Sequence, residues 1–217
     1  MEIGNYFIKD KKTWSKVIAD FENQSIGARE CLLKELSLVE NFDINKFNEI
    51  IDTQQVDESF KSFVEFSSEK GIPIVILSDG MDYYIERILQ KHGLEVEFYA
   101  NHCEVQESGL QLSFPYSDAE CTKCGCCKRN FILNMTADDE VSILIGDGYS
   151  DICSAQYADL VFAKKSLASY CWRNNITYFD FQNFSDIQKK LSRLLKEGKI
   201  KQRQQARLNR RGVFLGG

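Results

Sequence analysis

The sequence predicts an α/β protein, a Rossmann-like three-layer αβα sandwich carrying a small helical unit. Three observations predict it. Apolar residues over the first seventy positions recur at spacings of three and four. At Ile72 this pattern gives way to IPIVILS, a continuous apolar and β-branched run of strand length. From there to about Leu195, strand-like and helix-like segments alternate, the signature of a parallel sheet.

Each element follows in order. TWSKVIADFENQ, SIGARECLLKELSLVE, DINKFNEIIDTQ and VDESFKSFVEFSSEKG read as helices and form the helical unit, 1–70. The core, 71–195, opens with IPIVILS and the helix MDYYIERILQKHG, which stops at Gly93. VEFYAN is the next strand, and EVQESGLQLSFP alternates with period two around Ser108-Gly109, a hairpin signal. After a cysteine-rich loop come the strand VSILIGDG, a helix from near Ser150, the strand DLVFA, the helix SLASYCWRNN, the strand TYFDF and the helix SDIQKKLSRLL. The basic remainder, 196–217, reads as a flexible tail.

Composition narrows the function. The 217 residues suit one sizeable α/β core. A net charge of -5 gives no electrostatic reason to expect nucleic acid or an anionic membrane as partner. No apolar run approaches the roughly 20 residues of a membrane span, and no signal core follows Met1, so a cytoplasmic location is expected. The eight cysteines are expected as thiols.

Ligands of open parallel sheets sit beyond the carboxyl ends of the strands, where SDG (Ser78, Asp79, Gly80) and GDGYSD (Gly146 to Asp151) both fall. Ser78 can donate to a phosphate oxygen, with backbone N–H groups of the following helix; equally, the tripeptide can be a cap and turn. Asp147 and Asp151 lie four apart across a glycine turn and can share one magnesium ion, or make a turn and a helix cap. Lys128, opening a helical pattern, can neutralise phosphate charge or simply be solvated.

LSDG, a lysine, then GDGYSD and DLVFAK together resemble the haloacid dehalogenase (HAD) superfamily of phosphohydrolases, in its phosphoserine-phosphatase-like branch with a helical cap. SDGMDYYIERIL, YANHCEV, CGCCK and IGDGYSDICSAQYADLVFAK resemble the methionine-salvage phosphatases within it. The resemblance runs from about Trp14 to Leu195. It implies a small phosphorylated metabolite as substrate, such as a phosphorylated methylthio-diketone or its enol. It also implies Ser78, Asp79, Gly80 and Lys128 at the phosphate, Lys128 and Asp147 in catalysis, Asp147 binding Mg2+ directly, and Asp151 supporting it. The helices before Ile72 become a cap that excludes water.

One part of that pattern is missing. The family's nucleophile and acid/base stand in D-x-D-G-T at the end of a first strand, and the sequence contains no such run. YFIKDKKT supplies Asp10 and Thr13 but neither the second acid nor the glycine. The sequence therefore reads as beginning just after the catalytic strand, with the central strand of the sheet absent and two inner edges exposed. Neighbouring strands closing up, a strand from another chain, or the terminal GVFLGG sliding in are the available repairs.

Cys121, Cys124, Cys126 and Cys127, with His102 and Cys103 on a loop that folding could bring near, admit a zinc site, although seven consecutive residues strain tetrahedral geometry. The alternative is a reduced loop that positions Lys128. His92, ahead of Gly93, reads as a helix C-terminal cap. Two functions stay open: a magnesium-dependent phosphomonoesterase whose nucleophile lies outside these residues, and a non-catalytic metabolite- or metal-binding pseudophosphatase. Phosphoryl transfer to an alcohol is a third. Oligomeric state stays open, a dimer included.

Overall fold

A computed structural model of the chain describes residues 4–106, 109–121 and 123–215, the side chains of 214 and 215 excepted. The residues divide into two compact units, one from the start to Val56 and from Ile74 to Cys127, the other Asp57–Pro73 with Lys128 onward. None of the helices among the described residues is long and apolar enough to cross a membrane.

In the first unit, the helices α2 (Lys11–Glu22), α3 (Ala28–Ser37) and α4 (Ile44–Asp52) fall where the periodicity places them, and a short helix that the sequence reading did not include, α1 (Gly4–Phe7), precedes them. Asp10 starts α2, accepting from the backbone N–H and hydroxyl of Thr13 at 3.0 and 2.6 Å. Asp43 starts α4 in the same manner through the N–H groups of Asn45 and Lys46. Phe47, Ile50 and Ile51 are buried on one face of α4 with Phe7, and Tyr83 and Val105 pack against them.

The sheet of this unit has the order β1–β2–β3. β1 (Val75–Met81) leads into α6 (Asp82–Lys91), which ends where Gly93 takes a φ of 61°. VEFYAN and the first arm of the expected hairpin are one strand, β2 (Glu97–Gln106), parallel to β1 at its start and antiparallel to β3 (Gly109–Ser113) at its end. Gln106 pairs with Gly109; Ser108 of the expected hairpin signal lies outside the described residues.

The second unit holds α5 (Phe60–Glu69), α7 (Lys128–Met135) and a parallel sheet of β4 (Ile143–Gly146), β5 (Leu160–Ala163) and β6 (Phe179–Asp180). A short 3-10 turn (Tyr149–Asp151) runs into α8 (Ile152–Ala155); α9 (Lys165–Arg173) follows β5, and α10 (Phe184–Lys196) follows β6. Leu144, Val161, Ala163, Leu167 and Cys171 form its core.

Two expectations are corrected here. The helical unit expected over 1–70 is divided, because Phe60 and Phe63 of α5 pack on Phe184 of α10, at ring centroids 4.7 and 5.2 Å apart. The tail expected to be flexible contains α11 (Gln204–Leu215). Arg210 on that helix is buried, bonding the Tyr157 carbonyl at 2.6 Å and Asp159 at 3.1 Å. Val213 and Leu215 are therefore helical, which rules out the insertion of GVFLGG as a strand. Among the described residues the strands form two three-stranded sheets, with β1 paired to β2 and β4 to β5.

Candidate active site

Ser78, Asp79 and Gly80 occupy an irregularity in β1. Leu77 pairs with Tyr99 and Met81 with Asn101, so these three residues stand against Ala100 alone. A bulge of this kind re-aims side chains at a strand's end. The Gly80 N–H donates to Ser78 Oγ at 3.0 Å. A side chain at position 80 has no room, since its Cβ would lie 1.7 Å from the Tyr84 hydroxyl. Burial pushes that phenol up to about 12.

Asp79 faces a different partner from the one the sequence suggests. Its Oδ1 accepts the N–H groups of Gly125 and Cys126 at 2.8 and 2.9 Å, and its carbonyl accepts Asn101 Nδ2 at 2.7 Å. One strand-end carboxylate thus anchors the cysteine loop with two charge-assisted bonds. At the start of α6, Asp82 Oδ1 accepts the Tyr83 and Cys103 N–H groups at 2.7 and 2.8 Å, and Oδ2 lies 2.6 Å from His102 Nδ1. The second N–H of that helix, that of Tyr83, is therefore taken by the Asp82 carboxylate. His92 occupies the C-cap position of α6, with its ring 3.3 Å from the carbonyl of Gln54.

The zinc site is a further correction. Among the described residues no three His, Cys, Asp or Glu side chains come together as a metal site, so Cys121, Cys124, Cys126 and Cys127 do not form one. His102 pairs with Asp82 instead. Cys103 is a buried free thiol pushed up to about 12 by burial and by Asp82, which disfavours the thiolate that zinc requires.

The second unit gathers Lys128, Asp147 and Asp151. Lys128, at the start of α7, is 7% exposed, and Asp151 is 8% exposed. Lys128 Nζ donates to Asp151 Oδ1 at 2.6 Å and Ser150 Oγ at 2.8 Å. Asp151 Oδ2 accepts the N–H groups of Asp147 and Gly148 at 3.0 and 3.1 Å. Gly146 permits this approach, because a Cβ there would lie 2.5 Å from Oδ2. Both oxygens of Asp151 are thus engaged, Oδ1 by Lys128 and Oδ2 by the glycine turn.

Asp147 keeps its carboxylate half-exposed. Its Oδ2 meets Lys165 Nζ at 2.7 Å, and its carbonyl accepts Ser166 Oγ and Leu167 N at 3.1 and 3.2 Å. Lys165 takes a φ of 49°, the left-handed region that non-glycine residues seldom adopt. A cation, the ammonium, already stands at Asp147. A hard oxygen donor with open surroundings suits Mg2+, which retains waters and takes one or two carboxylates together with substrate phosphate.

Ser78, Asp79 and Gly80 therefore form one cluster, within the first unit, and Lys128, Asp147 and Asp151 another, within the second. Sequence reasoning missed Ser150, Lys165, Tyr84 and the Asp82–His102 pair. Lys165 had a signal, its place at the carboxyl end of β5.

The sequence family described as "Putative Phosphatase" matches residues 30–184. The chain belongs to this phosphatase family. It is similar to the 2-hydroxy-3-keto-5-methylthiopentenyl-1-phosphate phosphatase of Bacillus pumilus (strain SAFR-032), with 30% identity over 80% of this chain and 77% of that protein. To the enzyme of the same description from Bacillus cereus (strain B4264) it is 33% identical over 70% of each. Among solved structures, a phospho-aspartyl intermediate analogue of phosphoserine phosphatase superposes with a TM-score of 0.62 at 18% identity, covering 86% of this chain and 85% of that one. The T. onnurineus phosphoserine phosphatase gives 0.60 at 18%, covering 82% and 79%. The fold is that of the phosphoserine phosphatases, and by family the chain is a phosphatase.

Proposed function

We propose that the chain performs the phosphate and magnesium chemistry of a HAD phosphomonoesterase on a small phosphorylated metabolite, a methionine-salvage intermediate being the first substrate to test, in the cytoplasm. The observation that carries the reading is the buried Lys128–Asp151 pair. It braces the turn after β4, which leaves the Asp147 carboxylate half-exposed at the strand end beside Lys165.

In this reading Asp147 holds Mg2+ directly, and Asp151 acts through the turn it braces. Bound there, the ion would offset phosphate charge in the transition state. Lys128 contributes positive charge from an almost dry position, where electrostatic effects are strong. Ser78 Oγ and the nearby backbone supply hydrogen bonds to phosphate oxygens.

The attacking aspartate of an aspartyl-phosphate route has no counterpart in D-x-D-G-T form here. Asp10 is committed to capping α2, and its bonds from Thr13 lower its pKa. That favours a second reading, a non-catalytic binder of phosphorylated metabolite or metal. A Mg2+-dependent phosphatase assay on the 217-residue polypeptide, with Asp147→Asn beside it, separates them. Turnover abolished by the substitution supports hydrolysis; no turnover with Mn2+ binding that depends on Asp147 supports the binder. Turnover indifferent to Asp147 overturns the site. An in-frame D-x-D-G-T run in the upstream gene sequence would locate the nucleophile.

A further inference from the structure

In the second unit, the terminal helix α11 lies at the amino ends of β4 and β5. Ser142 and Asp159 directly precede those strands, and the Arg203 N–H and the Arg210 guanidinium both bond the Asp159 carboxylate. Gln202 Nε2 donates to the Asp138 and Glu140 carbonyls at 2.6 and 2.7 Å, which sets the loop between α7 and β4 beside the start of α11. Asp147 follows the carboxyl end of β4, so this face is the opposite end of the sheet from the proposed metal site.

Two groups of exposed side chains stand on the face. Ala206 and Arg210 of α11 are four apart and buried, so Arg207, Leu208 and Arg211 turn outward, Leu208 with 54% exposure. No acid occurs on this helix. On the neighbouring loop Asp138 and Asp139 are exposed, and Met135, which ends α7 three residues earlier, is 50% exposed. Each group joins one apolar side chain to two like charges, and the two signs are opposite. Among the described residues, none of these four charged side chains has an ion-pair or hydrogen-bond partner within the chain.

We propose that this face docks a second copy of the chain about a two-fold axis. Arg207, Leu208 and Arg211 of one copy meet Asp138, Asp139 and Met135 of the other, and the reverse. A two-fold interface uses the same patch on both copies, so the patch must complement itself. A patch of one sign would repel its copy, whereas this one lets every charge meet its opposite. A different acidic or basic partner would satisfy one group and set like charges against the other. Leu208 and Met135 supply the apolar centre, and the charges form the rim. The docking goes beyond the phosphatase reading and does not depend on it.

Sedimentation velocity of the 217-residue chain, from about 1 to about 200 µM, tests the proposal. The expected result is a concentration-dependent species of twice 25.0 kDa. Its dissociation constant should be about tenfold weaker in about 0.5 M than in about 0.05 M NaCl. Arg207→Glu with Arg211→Glu, and separately Asp138→Lys with Asp139→Lys, should each give monomer, because each sets like charges together. An equimolar mixture of the two variants should recover the dimer, since every contact across the axis is then between opposite charges. Both variants keep Arg203 and Arg210, which hold the helix in place. Should either fail to fold by circular dichroism, Leu208→Ser carries the test, with self-association expected to weaken at least about tenfold. A parent chain monomeric across the whole range overturns the proposal. So does a dimer indifferent to Leu208→Ser or to the charge reversals, or a mixture of the two folded variants that stays monomeric.

Discussion

Lys128 and Asp151 form an ion pair at 2.6 Å with side chains only 8% and 11% exposed. Lys128→Met would leave a buried carboxylate without its cation. Breaking such a pair by removing one partner costs about 3–5 kcal/mol. Urea unfolding should show a loss of that order, with a smaller loss for Lys128→Arg. A Lys128→Met midpoint equal to that of the parent chain would mean the pair does not brace the turn.

Asp79 is expected to act on the cysteine loop. Asp79→Ala leaves the Gly125 and Cys126 N–H groups without their carboxylate, a change worth about 1–3 kcal/mol for buried donors. Cys124, Cys126 and Cys127 are buried, so they should react slowly with a thiol reagent while Asp79 is in place. The count of fast-reacting thiols should rise in the variant. An unchanged count refutes the anchoring role.

Lys165 competes for the carboxylate that the proposed metal would use. An exposed ion pair is worth at most about 1 kcal/mol, or about fivefold in affinity. Lys165→Met should tighten Mn2+ binding, followed by electron paramagnetic resonance, by up to that factor, and Asp147→Asn should abolish it. Weaker binding in Lys165→Met would show that the lysine does not oppose the cation.

His102 carries a pH dependence. Its hydrogen bond and charge contact with Asp82 raise its pKa above the ordinary value. A raised histidine stabilises the fold fully below its unfolded pKa, about 6.5, and the contribution is lost as pH rises through the folded value. The parent chain should lose stability across that window relative to His102→Gln, whose thermal midpoint should change less. Parallel pH profiles for the two proteins would rule the pair out as the source.

Much of this protein could be read from local order. Helical spacing located α2 to α5, and the apolar runs IPIVILS and DLVFA located β1 and β5, because period and β-branching act within a few residues. GDGYSD announced a turn with two carboxylates for the same reason. Partner choice was not readable, because hydrogen bonds join residues far apart in the chain. Asp79 could serve a phosphate or a loop by its sequence context, and only folding brings the N–H groups of Gly125 and Cys126, 46 and 47 residues away, to its Oδ1. Likewise the division of labour between Asp147, half-exposed beside Lys165, and Asp151, dry against Lys128, depends on burial, which spacing does not encode. The terminal segment makes the same point. Its composition reads as a frayed tail, but a carboxylate at Asp159 gives Arg210 a buried partner, and that tertiary contact makes it a packed helix.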